Sequence, residues 1–404
     1  MAQNLKTFIF NNRHLIGFGF LLTFLSSFGQ TFLISLYLPF IQETFELSDG
    51  GFSSIYALAT ISSAFTITWV GGFIDKIRLT KFTTVAMLGL IIALLLLSGA
   101  FFIPMLFIAL YGLRLFGQGM MTHTSITSMA RFFDDGKRGK AISFASLGHP
   151  MGEAILPVII ISLIGLVGWR FTVLGSAGIV ALALPLSLYL LFYNTNFSQL
   201  KNYLPQLFSK EDEKQSKPWH ILKTHPFWLL MPSSMASAAI GTGFLLFKLK
   251  LGLTKGWDPT FIAVGFTAYA VGNALSNLLG GFLADRFSGK VLFPIYLLPS
   301  SIGILTMAFF DPSWAYIVLI AGIGITNGFG GTVKNVALAE FYGVKIIGSV
   351  RSLFVMLMVF GTALGPLFFG IMLDAGYSFE TIGIYSAIIF GLCTLNSARV
   401  YLLK

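Results

Sequence analysis

Apolar stretches long enough to cross a bilayer recur along nearly the whole chain, with short polar turns between them. A membrane-spanning helix needs ~17–25 predominantly apolar residues, and each stretch here is bounded by charged residues, Gly or Pro. The pattern predicts twelve membrane helices in two sets of six. The first set is 14–40, 53–74, 82–101, 104–130, 140–165 and 169–192, and the second is 226–247, 260–284, 290–309, 313–339, 347–373 and 381–402.

One long polar stretch separates the two sets, at residues 194–225, and it contains the charge run 210–214. Such a run is typical of a solvated segment. We also expect a short amphipathic helix on the membrane surface within this stretch. We therefore predict an all-α membrane protein with two bundles. Its parts are an N-terminal six-helix bundle at 1–193, a cytoplasmic linker at 194–225 and a C-terminal six-helix bundle at 226–404.

The composition favours lipid as the main surroundings of the protein. Of its 404 residues, 10% are charged, well under the ~25% of soluble domains. The net charge of +10 is scattered at helix ends, whereas nucleic-acid binding needs a basic surface, so no nucleic-acid partner is predicted. Cys393 is the only cysteine, which excludes an intrachain disulfide and a cysteine metal site.

Catalytic and ATP-binding motifs are missing from the sequence. It contains no P-loop of the form GxxxxGK[ST], which disfavours an ATP-driven pump. No metal-ligand cluster or nucleophile motif stands out either. We predict a protein that is not an enzyme, has no cofactor or metal and works as a monomer.

The placement of Lys and Arg predicts the orientation, because positively charged loops stay in the cytoplasm. Both termini are expected to be cytoplasmic, in a bacterial inner membrane. Arg114 and Lys334 fall within predicted helices, and all but four of the other basic residues fall on cytoplasmic segments. The four expected outside are Arg170, Lys248, Lys250 and Lys255.

The two halves repeat each other at a shift of 209–210 residues. The segment GGFIDK at 71–76 returns as GGFLADR at 280–286, and Gly152 and Pro157 match Gly361 and Pro366. The matched segments have the same sidedness in both halves. The repeat is therefore parallel, related by a pseudo-two-fold axis along the membrane normal.

The doubled loop resembles the first signature of the major facilitator superfamily, which has a Gly, an acid four residues later and a basic cluster. The resemblance implies a secondary transporter that works by alternating access, with this loop as a cytoplasmic latch. The alternative is that the loop only anchors a tight turn. Its glycines allow close helix packing, and its acids can attract a helix N-terminus. The gating residues are Gly71, Asp75, Lys76, Arg78, Gly281, Asp285 and Arg286.

Two further segments, 114–157 and 339–352, resemble the branch that holds monocarboxylate and oxalate/formate carriers. This resemblance implies a small organic anion as the substrate, carried by symport with a proton. The chain lacks the acidic signature of helix 1 and the Asp and Arg pair of helix 8 that eukaryotic members use. Another group must then carry a coupled proton.

Five ionisable residues lie inside the predicted bilayer, where each costs ~3 kcal/mol or more. They are Arg114 and His123 on helix 4, His149 and Glu153 on helix 5, and Lys334 on helix 10. Helices 4 and 5 run antiparallel, so Arg114 and Glu153 lie within ~4.5 Å in depth, and the two histidines within ~3 Å. Both pairs are therefore able to meet.

We predict that Arg114, Lys334 and His123 bind substrate, and that Glu153 and His149 carry the proton. Resemblance places helices 4 and 10 at a central cavity, where two cations suit a small anion. Protonation of Glu153 frees Arg114 for that anion. The alternatives are a permanent buried Arg114–Glu153 pair, histidines that only pack, and a Lys334 that reaches the cytoplasmic edge.

Small residues and prolines on helices 5 and 11 predict close packing and bending. These positions are Gly148, Gly152, Pro157, Gly361, Gly365 and Pro366.

Three functions remain open from the sequence. A secondary carrier for a small organic anion is favoured by the two buried cations. A drug or cation/proton antiporter would use Glu153 for the cation or proton, and a non-transporting membrane receptor is the third.

Overall fold

The computed structural model describes residues 5–75, 77–133, 135–192, 218–343 and 346–402. Within these ranges, twelve helices are long and apolar enough to cross a membrane, which confirms the predicted all-α fold. We label them α1 to α12 in chain order. They are Arg13–Phe45, Asp49–Val70, Leu79–Ser98, Ile103–Phe132, Lys140–Val167, Trp169–Leu191, His225–Thr254, Pro259–Ala284, Gly289–Phe309, Trp314–Tyr342, Leu353–Asp374 and Phe379–Tyr401.

Two short helices lie outside these spans, Leu5–Asn11 and Pro218–Leu222. The second falls in the predicted linker 194–225. The charge run 210–214 lies outside the described residues.

Helices α1 and α4 are irregular within the first half of the chain. In α1, a 3₁₀ turn at Ser26–Gly29 separates Arg13–Leu25 from Thr31–Phe45, because Gln30 leaves the helix with φ −87° and ψ 149°. In α4, Leu113–Met121 forms a π-helix. Such segments are rare and occur frequently at functional sites.

The described chain forms two compact units. The first contains residues 5–41 and 58–192, and the second contains 42–57 and 218–402. The predicted N-terminal bundle, 1–193, included 42–57, whereas the structure groups this segment with the second unit. The reason is local: the carboxylate of Asp374 accepts hydrogen bonds from the backbone N–H groups of Asp49 and Gly50, both at 2.9 Å.

Glycines set the closest helix contacts in the first unit. A Cβ built on Gly148 would lie 2.7 Å from the backbone N of Phe24, and one on Gly152 would lie 3.1 Å from Ser27 Cβ. Helix α5 therefore packs directly on the backbone of α1. Pro157 lies farther along α5, inside the helix.

The second unit has the corresponding contact between α11 and α7. A Cβ on Gly361 would lie 2.9 Å from the carbonyl oxygen of Met235, and one on Gly365 would lie 2.6 Å from Ala239 Cα. Pro366 follows inside the same helix.

The two copies of the GGF loop differ in how their glycines pack. A Cβ on Gly71 would lie 3.6 Å from His123 Nε2, whereas one on Gly281 meets no atom within 4 Å. The close approach predicted at Gly281 lies one residue earlier, because a Cβ on Gly280 would lie 3.2 Å from the Phe329 ring.

The charged residues of these loops are partly described. Arg78 is exposed and immediately precedes α3, and the Arg286 guanidinium lies 5.2 Å from the Phe287 ring centroid. Lys76 lies outside the described residues, as do the side chains of Asp75 and Asp285.

Candidate functional site

Arg114 is a buried cation on the π-helical segment of α4, and the whole residue is 3% exposed. Its Nη1 donates a hydrogen bond of 3.2 Å to Thr31 Oγ1. Thr31 is the first residue of the second part of α1, where a helix N-terminus carries a partial positive charge. The guanidinium and this helix end together favour a negatively charged group.

The irregular segments of α1 and α4 are in backbone contact. A Cβ on Gly117 would lie 2.8 Å from Gly29 Cα, and one on Gly29 would lie 2.7 Å from the backbone N of Gln118. Any side chain at either glycine would separate the two helices. The paired glycines therefore place the π segment, with Arg114, against the break in α1.

Glu153 lies on α5, directly after a glycine that contacts the break. Glu153 is 4% exposed. It follows Gly152, where Ser27 of α1 occupies the space that a side chain would need. A carboxyl at this depth costs several kcal/mol if it is charged and alone. Arg114 thus lies on the segment that packs against the break, and Glu153 follows a residue that touches the break. Their direct pairing stays a prediction.

Two buried polar atoms near the break have no hydrogen-bond partner in the described part of the chain, Ser27 Oγ and His149 Nδ1. The His149 ring lies 6.3 Å from the ring of Phe32, the residue after Thr31. Buried polar groups are nearly always satisfied by protein or water. Within the described residues, the protein therefore leaves the hydrogen-bonding capacity of these two atoms unused.

His123 has different neighbours from His149. Its Nε2 lies 3.2 Å from the carbonyl oxygen of Gly71, and its ring meets Phe82 edge-on at 6.5 Å. The sequence predicted that the two histidines are able to meet, because they lie at similar depth. No contact between them is found among the described residues. His123 instead contacts the end of α2.

Two lysines of the second unit lie inside its helices. Lys334 is half-buried, and its Nζ lies 3.1 Å from Met358 Sδ, a weak acceptor. Lys248 is 0% exposed, with its Nζ 4.5 Å from the Phe266 ring centroid, a cation–π distance. Helix α7 extends to Thr254, so Lys248 and Lys250, which were expected just beyond the end of this helix at 247, lie within it.

Spacing along α7 would have revealed this buried lysine. Residues two apart in a helix point roughly 200° away from each other, so Lys248 and Lys250 cannot both face water. The structure buries Lys248 and leaves the Lys250 side chain 38% exposed.

A cavity of about 450 Å³ lies in the second unit, lined by Glu43, Glu46, Asp49, Asp374 and Lys250 among others. It does not include Arg114 or Glu153. Within the described residues, no group of three or more His, Cys, Asp or Glu is arranged to hold a metal ion.

A family model matches most of the chain. The family model described as Major Facilitator Superfamily matches residues 19–257 and 234–404. A short match, 34% identical over 80 residues, joins the chain to an uncharacterised protein of Mycoplasma pneumoniae; it spans 20% of this chain and 55% of that relative's length.

Solved structures show the same fold. The nucleoside transporter NupG superposes with a TM-score of 0.76 at 14% identity, covering 100% of both chains. A bacterial homologue of the human lysosomal transporter Spinster, in an inward-facing and unoccupied conformation, gives 0.72 at 15% identity, covering 97% of this chain and 94% of that one.

Proposed function

Because the chain belongs to the Major Facilitator Superfamily and is a multi-pass membrane transporter rather than an enzyme, we propose that it carries a small organic anion of the monocarboxylate type by symport with a proton. The proposal concerns the substrate class and the coupling ion.

The buried Arg114 at the break in α1 is the observation that carries the proposal. A guanidinium binds carboxylates through two parallel hydrogen bonds, and Arg114 already donates one bond to Thr31 at the N-terminus of a half-helix. In transporters, discontinuous helices point such N-termini at anionic groups of the substrate. A carboxylate that replaces Thr31 as acceptor gains both interactions.

Glu153 supplies the proton in this proposal. Protonation removes its negative charge from the same break, so the positive charge of Arg114 becomes available to the substrate. Anion and proton are then bound together and released together. His149, one turn earlier on α5, is the proposed relay.

We propose Lys334 and His123 as further substrate contacts, the GGF loops as the latch and a monomer as the working unit. The distribution of Lys and Arg supports a bacterial inner membrane with both termini cytoplasmic.

The buried carboxyl of Glu153 also favours one alternative, a drug or cation/proton antiporter in which Glu153 binds the cation. The fold alone does not choose between these substrates, nor does it extend the nucleoside specificity of NupG to this chain at 14% identity.

A thermal-shift screen on the purified protein separates these possibilities, because a ligand stabilises the state it binds. The probes are lactate, oxalate, tetraphenylphosphonium and uridine, each tested on the parent, Arg114→Met and Glu153→Gln. We expect lactate or oxalate to raise the melting temperature of the parent and to have no effect on Arg114→Met. Stabilisation by tetraphenylphosphonium that Glu153→Gln abolishes would replace the symport proposal with the antiport one, and stabilisation by uridine alone would reject both.

A further inference from the structure

The tripeptide Phe-Gly-Gln occurs twice in the chain, at 28–30 and at 116–118. The first copy covers the end of the break in α1, and the second copy lies in the π segment of α4. Each copy lies near the midpoint of its membrane-spanning helix. The two irregular segments of the first unit therefore contain the same three residues at their centres.

The phenylalanines and glycines of the two copies fix the contact between the helices. Phe28 is buried, and the Phe116 ring occupies the space that a Cβ on Gly89 of α3 would need. Gly29 and Gly117 bring the two backbones together, since a Cβ on Gly117 would lie 2.9 Å from Gly29 N. Packing thus explains two of the three residues in each copy, but not the glutamine.

The glutamines have hydrogen-bonding groups that the protein does not use. Gln30 and Gln118 are both half-buried, and neither side chain makes a hydrogen bond within the described part of the chain. A carboxamide has an acceptor oxygen and two N–H donors, which are costly to leave unpaired away from water. Ser27 Oγ, in the same break, is also without a partner among the described residues, and Ser27 is fully buried.

Both glutamines adjoin the pair formed by Arg114 and Thr31. Gln30 directly precedes Thr31, and Gln118 lies four residues after Arg114, a spacing that places two side chains on one face of a helix. The hydrogen bond of 3.2 Å from Arg114 Nη1 to Thr31 Oγ1 joins the two segments. A small molecule held by Arg114 is therefore next to one carboxamide from each helix.

We propose that Gln30 and Gln118 recognise hydroxyl groups of the substrate, so that the carried anion is a short hydroxycarboxylate. This inference rests on the proposed function, in which Arg114 binds the carboxylate. A carboxamide both donates to and accepts from a hydroxyl, and it carries no charge that would compete with the carboxylate for Arg114. A site that binds a hydroxyl rejects the analogue without one, because its own polar groups then stay unpaired.

A series of three-carbon acids tests this assignment. Propionate, lactate and glycerate share one carboxylate and carry no hydroxyl, one hydroxyl and two hydroxyls. Their Kd values are obtained by titrating the melting temperature of the full-length purified protein with each acid. One hydrogen bond changes affinity by about fivefold, so we expect the Kd of the parent to fall about fivefold with each added hydroxyl.

Two substitutions remove the carboxamides and keep the length of the side chains, Gln30→Met and Gln118→Met. The ratio of the propionate Kd to the glycerate Kd should fall from about 25 in the parent to about 5 in each variant and about 1 in the double variant. The matched control is Gln42→Met, on the same helix α1 but outside the break, where Gln42 Nε2 donates to Asp49 Oδ1 at 2.7 Å. This control should keep the ratio of the parent.

Equal Kd values for the three acids in the parent would overturn this inference and leave the proposed function standing. A ratio in the double variant equal to that of the parent would also overturn it, because other residues would then recognise the hydroxyls. Binding of none of the three acids would overturn it as well, and if oxalate also failed to bind, the proposed function would fall with it.

Discussion

The two repeats differ in the regularity of two pairs of equivalent helices. In the first unit, α1 breaks at Ser26–Gly29 and α4 contains the π segment Leu113–Met121. Their counterparts in the second unit are continuous α-helices, α7 over His225–Thr254 and α10 over Trp314–Tyr342. Backbone irregularity inside a membrane is tolerated where it is buried in protein or lines a cavity.

The buried charges of the first unit have no counterpart at the equivalent positions of the second, whose own buried charge is Lys248. Arg114 lies on the π segment and Glu153 is buried on α5, whereas the repeat shift aligns Arg114 with Ile323 or Gly324 and Glu153 with Thr362 or Ala363. The second unit keeps the packing of α11 on α7 without a charge at that contact. We propose that the first repeat carries proton coupling and the main anion contact, Arg114, with Lys334 of the second repeat as a further contact.

The largest expected effect comes from removing the cation of the first unit. A hydrogen bond to a charged group contributes ~1.5–3 kcal/mol, so Arg114→Met should lower kcat/KM for anion uptake by up to ~100-fold. Lys334→Met is the comparison in the second unit, where the half-buried ammonium meets a thioether, and we expect less than a ~10-fold loss. Proteoliposome uptake of the stabilising anion measures both. Equal losses would show that the two units share recognition.

A second comparison concerns the glycines that hold the irregular segments together. Gly29→Ala would place a methyl group 2.8 Å from Gly117 Cα, and overpacking of this kind costs ~1–3 kcal/mol. Gly178→Ala is the control, since a Cβ there meets no atom within 4 Å and Ala favours the helix by ~0.5–1 kcal/mol. Thermal melts should show destabilisation in the first variant only; a stable Gly29→Ala would mean that α1 and α4 tolerate separation.

The loops between α2 and α3 and between α8 and α9 are held by opposite charges at equivalent positions. Arg131 Nη1 donates to the carbonyl oxygen of Ile74 at 3.2 Å, while Glu340, 209 residues later, accepts from Gly289 N and Lys290 N at 3.0 Å each. Arg131 binds a backbone carbonyl group at the end of one helical segment, and Glu340 binds backbone N–H groups at the start of another. This matches the helix dipole, whose carbonyl end is partially negative and whose amide end is partially positive.

Glu340→Ala should therefore destabilise the protein by ~1 kcal/mol, as other helix-cap losses do. Arg131→Ala removes a longer bond, 3.2 Å to the Ile74 carbonyl oxygen, and should cost less. Thermal melts of the two variants measure the two stability losses. A larger loss for Arg131→Ala than for Glu340→Ala would contradict this prediction.

The smallest expected effect is a pH dependence at Lys255, in the loop between α7 and α8. Burial disfavours its charge, but hydrogen bonds and charges from Asp311 and Glu380 outweigh burial and raise the pKa of Lys255. The charged Lys255 therefore stabilises the folded state. This stabilisation is complete below the pKa of lysine in the unfolded chain, ~10.4, and is lost as the pH rises through the higher pKa of the folded state.

Because Asp311 is 89% exposed, Lys255→Met should cost only ~0.5 kcal/mol. Melts from pH 7 to 11 should show a constant difference from the parent up to about pH 10. A difference that fades between pH 7 and 9 would contradict this assignment.

The sequence was sufficient for the twelve helices, because apolar length alone identifies them, and for the repeat, because the GGF loop recurs. It also predicted Arg114 and Glu153 at similar depth; the structure buries both, and their pairing stays a prediction.

Other features depend on packing between distant segments and were not predictable. The segment around Ser26–Gly29 contains no proline, so its break reflects contact with Gly117. The capping of α2 by Asp374 likewise joins residues more than 300 positions apart.

The most direct test of the proposal that one repeat carries recognition and coupling is uptake driven by an imposed inward proton gradient. Parent protein and Glu153→Gln are compared in proteoliposomes, with the anion that stabilises the purified protein as the probe. Gln mimics the protonated carboxyl, so we expect Glu153→Gln to exchange anion across the membrane but to lose uphill accumulation. If Glu153→Gln accumulates anion as well as the parent does, Glu153 does not couple transport to the proton, and the assignment of coupling to the first unit fails.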